Sequence, residues 1–143
     1  MKRMIFALVA GFVVWGVVAT LLNFGLRAGI PGYHLAEPTM SFTLGMKIAR
    51  LILAALASLA AGATAGLIAP ASKGAPWVLG AIILALFLPV HVQIWAKFPA
   101  WYHLTFLLTL VPLVAVGAAL VRNRSSKGSP ETVRKIPAST VSS

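Results

Sequence analysis

Four blocks of apolar residues, each about long enough to cross a bilayer, alternate with short segments that hold almost every charge. The first runs from Met4 to Leu26 without a charged residue, behind Lys2 and Arg3. At a rise of about 1.5 Å per residue it spans a hydrocarbon layer of roughly 30 Å with some tilt. It is too long for the core of a secretory signal, and no small-x-small cleavage pattern closes it before Arg27, so it reads as a retained helix. The second span covers 46–69. Its uncharged stretch begins at Leu51, and Pro70 should stop the helix. Lys47 and Arg50 stand in its opening turns, where long basic side chains snorkel to the interface. Thr39 or Ser41 is the expected cap. The third span, 77–95, has Trp77 and Trp95 at its ends, a spacing suited to the two headgroup levels, and Pro76 suits its first turn. The fourth covers 101–121.

The segments between spans are rich in helix breakers. The longest, 27–40, contains Gly29, Pro31, Gly32 and Pro38, so continuous helix is not expected there. The pattern predicts an all-α fold, an integral membrane bundle of four transmembrane helices forming one domain over residues 1–121. After it, residues 122–143 turn to Ser, Thr, Lys, Arg and Pro, a composition that cannot bury a core and predicts a disordered basic tail.

Charge orients the bundle. Lys2, Arg3, Lys73, Arg122, Arg124, Lys127, Arg134 and Lys135 fall on one side of a four-span layout. Arg27, Lys47, Arg50 and Lys97 fall on the other. The positive-inside rule then places both termini in the cytoplasm. Compact loops and basic ends fit a bacterial plasma (inner) membrane. The chain is 59% hydrophobic, with mean hydropathy +0.94 and formal charge +10. No run combines basic residues with interleaved aromatics, so the charge points to anionic lipid at the tail rather than to nucleic acid.

The polar inventory narrows the chemistry. There is no cysteine, hence no disulfide, thiolate metal site or thiol nucleophile. Glu37 and Glu131 are the only acids and aspartate is absent. A Ser-His-Asp triad is excluded, and so is the membrane-embedded carboxylate common in proton-coupled transport. Paired carboxylates would require the tail to fold back. No motif calls for a catalytic residue or a cofactor.

Two patterns remain. In the second span Ala54, Ser58, Gly62 and Gly66 recur every fourth residue, beside a row of Ala57, Ala61, Ala65 and Ala69. Spacing of four puts small residues on one face, where backbones approach closely. Such a face suits either a central helix or a seam with another chain. The other pattern is a set of polar residues toward the outer side: Asn23 with the candidate site residues His34, Glu37, Arg50, His91, Gln93 and His103. His91 and His103 lie equally far from the turn near Lys97, so an antiparallel hairpin gives them similar depth. His34, His91 and His103 are candidate ligands for zinc, copper or iron, and His91 with His103 for haem. Arg50 is the expected partner of Glu37, with Arg27, Lys47 or a histidine as rivals. Pro89 and Pro112 interrupt the third and fourth spans, each freeing a carbonyl. The leading functional expectation is a protein that acts by helix packing, as a homo-oligomer or as an accessory subunit of a membrane complex. A small oligomeric transporter or channel is the second expectation, and a metal or haem protein using the histidines the third.

Overall fold

The computed structural model describes residues 1–127, with side chains through Ser125. It is all-helical over that range. Helix α1 covers Lys2–Gly29, α2 is a single turn at Tyr33–Ala36, α3 covers Leu44–Ile68, α4 covers Ala75–Gln93 and α5 covers Ala100–Lys127. All except α2 are long and apolar enough to cross a membrane.

The helix boundaries have local causes. Thr43, rather than Thr39 or Ser41, caps α3: its hydroxyl accepts from the Met46 amide at 3.4 Å. Thr39 and Ser41 instead bond each other at 2.6 Å in the connecting segment. That segment holds the short α2, entered through Gly32 at φ 77°, a left-handed conformation that suits glycine. Pro76 sits in the first turn of α4, as expected. Trp95 falls outside α4, because the chain tightens into a 3-10 turn at Trp95–Lys97 to reach α5. Helix α5 continues past residue 121 to Lys127. There the Arg122 guanidinium reaches back to the Ser72 carbonyl at 2.7 Å and ties the last turns to the α3–α4 connection. Residues 128–143 of the predicted tail lie outside the described residues.

Helix α3 is the centre. It packs antiparallel against α1 and parallel to α5, and α4 closes the bundle against α5 and α1. The small rows decide this arrangement. Ala57, Ala61 and Ala65 are fully buried, and Ala54, Ser58, Gly62 and Gly66 are buried with them. A Cβ on Gly62 would collide with the Val114 carbonyl group, and one on Gly66 would stand 2.9 Å from the Ala118 Cα. On the other side of the seam, Gly117 lies directly on the Leu59 carbonyl. The small face of α3 therefore meets α5 of its own chain. Opposite it, α1 buries only Ala7, Gly11 and Trp15. The Trp15 indole N–H donates to the Ser58 hydroxyl at 3.2 Å, and that hydroxyl donates to the Ala54 carbonyl at 2.7 Å. Polar atoms in the middle of the bundle are thus satisfied within it.

Pro89 and Pro112 lie inside α4 and α5, which continue through them. Thr109 donates to the Thr105 carbonyl at 2.6 Å.

Candidate functional site

The helices have two ends. Met1, the α3–α4 turn and the last turn of α5 lie at the terminal end. The α1–α3 connection and the α4–α5 turn lie at the loop end. Packing at the loop end is aromatic: Tyr33, Phe42, Met46, Phe98 and Tyr102 form a buried cluster separate from the main core.

A polar chain runs along this cluster. Arg50 Nη1 donates to the Tyr33 hydroxyl at 2.9 Å. Tyr33 donates to Asn23 Oδ1 at 3.1 Å, and Asn23 Nδ2 donates to Glu37 Oε1 at 3.2 Å. Arg27 closes the chain with an ion pair to Glu37 Oε2 at 2.6 Å. The donations from Arg50 through Tyr33 and Asn23 all run toward the Glu37 carboxylate, and Arg27 donates into it from the other end, so the chain is internally consistent. Asn23 and Arg27 can both reach Glu37 because they are four residues apart on α1 and share a face. The hydrogen bond from Arg27, with help from Asn23, holds the Glu37 carboxyl below its ordinary range. Burial pushes the Tyr33 phenol up, so it stays neutral between its partners.

This corrects the expected Glu37–Arg50 pair. Arg27 holds the carboxylate because α1 presents it directly, while Arg50 is held away by Tyr33. Arg50 also lies over the Phe42 ring, its guanidinium carbon 4.7 Å from the centroid. Its Nε is buried and has no hydrogen-bond partner. The cluster therefore has two guanidinium groups and one carboxylate, and the second cation lacks an anion.

Arg50 faces a cavity of about 500 Å³. That size lies within the roughly 300–1,000 Å³ typical of small-molecule sites. Its polar wall is formed by Asn23, Arg27, Glu37 and Arg50, together with Tyr102. Trp15, Phe24, Phe87 and Phe106 supply its apolar wall, and Ala54 of the small row lines it too.

The two deep histidines meet. His91 Nδ1 and His103 Nδ1 are 2.8 Å apart, and both side chains are buried. With both rings neutral, one nitrogen donates and the other accepts. Trp95 stacks on His103 at 4.6 Å between centroids, and Phe106 lies 4.4 Å from His91. The pair thus sits behind Tyr102 and Phe106, two walls of the cavity. His103 Nε2 is buried without a partner. A haem iron between the two rings would hold its nitrogens roughly 4 Å apart, twice a metal–imidazole bond of about 2 Å, so the haem expectation does not fit this spacing. The three-histidine cluster is not assembled either. His34 is exposed on α2, and among the described residues no group of three or more His, Cys, Asp or Glu is placed to hold a metal. Gln93 is exposed as well and joins neither cluster.

Of the polar set singled out in the sequence, Asn23, Glu37 and Arg50 share one network and His91 and His103 another. The sequence pattern had not pointed to Tyr33, Phe42 or Tyr102, which organise the first network. Arg27 and Asn23 on one face of α1 were the available signal. Comparison with protein-family models, with curated proteins and with solved structures returned no match.

Proposed function

We propose that this protein is an integral membrane binding protein whose loop-end cavity takes an amphiphile with a single anionic head. The observation that carries the reading is Arg50: a cation on the wall of a cavity with both polar and apolar sides, with its Nε unpartnered and the nearby carboxylate already held by Arg27. A carboxylate or phosphate head would accept from Arg50, and its hydrocarbon would lie against Phe24, Phe87, Phe106 and Trp15. Four apolar helices support the membrane setting, and the basic residues at the terminal end support both termini being cytoplasmic, in a bacterial plasma membrane. The cavity then opens in the outer half of the bilayer. Helix packing enters this reading as the scaffold. The glycine face that suggested a homo-oligomer or accessory subunit is occupied by α5, which favours a ligand over a partner chain as the reason for the design.

Trp15 gives the test a reporter. In a variant with Trp77, Trp95 and Trp101 replaced by phenylalanine, a bromine-labelled fatty acid is titrated against Trp15 fluorescence in detergent. Its brominated alcohol is the neutral control. The acid should quench saturably and the alcohol at least tenfold more weakly. Arg50→Gln should weaken the acid by about 10–100-fold, the loss of a charged hydrogen bond of roughly 1.5–3 kcal/mol. Equal quenching by acid and alcohol, or an Arg50→Gln variant that binds like the parent, would overturn the proposal.

A further inference from the structure

The terminal end carries a second cationic arrangement, unconnected with the Arg50 cavity. A groove of about 610 Å³ runs between α4 and α5, with Trp77, Pro112, Ala115, Val116 and Ala119 along its length and Lys73 and Arg122 at its mouth. Pro112 lines it, at a point where the helix backbone has no amide hydrogen. Arg122 lines a neighbouring groove as well, of about 360 Å³ beside Gly66, Leu67 and Pro70.

Charge decides what suits this place. Arg122 donates through Nη2 to the Ser72 carbonyl at 2.7 Å, which fixes the guanidinium at the groove mouth. Its Nε is buried and unpartnered. Glu37 is the only acid among the described residues, and it lies at the opposite end, bound to Arg27. Among the described residues, Lys73 and Arg122 therefore face no carboxylate there. Trp77 stands exposed beside them, at a position where tryptophan meets lipid headgroups when a helix spans a bilayer.

We propose that this groove is a binding site for one anionic phospholipid, its phosphate held by Lys73 and Arg122 and one acyl chain lying along Trp77, Pro112 and Ala119. The proposal rests on the bundle lying in a bilayer and not on the Arg50 cavity. A guanidinium fixed at the groove mouth, a second cation lining the same groove and an apolar surface leading away match the three parts of such a lipid. The site adds a specific docking position to the general attraction that a basic membrane face exerts on anionic lipid.

Native mass spectrometry of the full chain in detergent tests it, with phosphatidylglycerol and phosphatidylcholine of matched acyl chains titrated separately. One phosphatidylglycerol should bind at least tenfold more tightly than phosphatidylcholine. That preference should fall at least fivefold in Lys73→Gln/Arg122→Gln and persist in Arg50→Gln, which separates the two sites. Inorganic phosphate should not compete at millimolar concentration, since the acyl chain supplies much of the affinity. If the double variant does not fold, Lys73→Gln alone and Arg122→Lys serve, with Trp77 as sole tryptophan and bromine-labelled lipids as quenchers. Trp77 should then be quenched preferentially by phosphatidylglycerol, and less so in both variants. Equal affinity for the two lipids, an undiminished preference in the variants, loss of the preference in Arg50→Gln, or displacement by phosphate would each overturn the site.

Discussion

Gly62→Ala tests the packing that everything else depends on. An alanine Cβ at this position would lie 2.7 Å from the Val114 carbonyl carbon and 3.0 Å from its Cα. Ordinary carbon–carbon contact is about 3.5–4.0 Å and the Val114 carbonyl oxygen lies nearer still, so the helices must separate by at least about 1 Å. The obstacle is backbone, so no rotamer change relieves it. A gap of that size forfeits about a quarter to a half of the dispersion energy of contacts along the seam. Overpacking typically costs about 1–3 kcal/mol, and a backbone clash belongs at the upper end. Alanine's better helix propensity returns about 1 kcal/mol. The expected net loss is roughly 2 kcal/mol, or about 4–8 °C in Tm at the scale of a chain this size. Thermal denaturation in a mild detergent measures it, with Gly16→Ala as control. Nothing lies within 4 Å of a Cβ at Gly16, so that variant should melt at or slightly above the parent temperature. A Gly62→Ala protein that melts within about 2 °C of the parent would refute a close intramolecular seam. A normal melt accompanied by loss of an oligomer would instead place the face between chains.

Two further substitutions probe the polar networks. Because the Glu37 carboxyl is held below its ordinary value of 4.5, the unfolded chain binds the proton more readily. Its contribution to stability is therefore fully present above about pH 4.5 and lost as pH falls through the lowered value. Glu37→Gln should flatten the Tm–pH slope in that acidic window and cost less than about 1 kcal/mol at pH 7, since the Arg27 side chain is 47% exposed; an unchanged slope would remove the pair as its source. His91→Phe leaves the facing nitrogen of His103 without its partner and should cost about 1–3 kcal/mol, whereas His91→Phe/His103→Phe should recover part of that loss. Additive losses in the double-mutant cycle would show that the 2.8 Å contact carries no coupling.

The one-dimensional pattern determines how many membrane-length helices there are, because a long apolar run ended by proline or charge has few other solutions. Four such runs are read directly from the chain, and so is the small face of α3, since spacing of four is a property of the helix itself. The matched depth of His91 and His103 follows from simple rise arithmetic along a hairpin. What receives the small face was not legible: a row of glycines suits a neighbour in the same chain as well as one in another, and only the register of Gly62 on Val114 and of Leu59 on Gly117 selects α5. The partner of Glu37 was hidden for a related reason. Several cations lie within reach of a loop carboxylate along the sequence, and the choice of Arg27 over Arg50 depends on the path of α2 and on Tyr33 standing between them. The cavity likewise has no signature in the sequence, because its walls come from α1, α3, α4, α5 and the α1–α3 connection. Helix formation depends on neighbours a few residues apart, whereas a cavity and the cation facing it depend on distances between segments that only packing brings together.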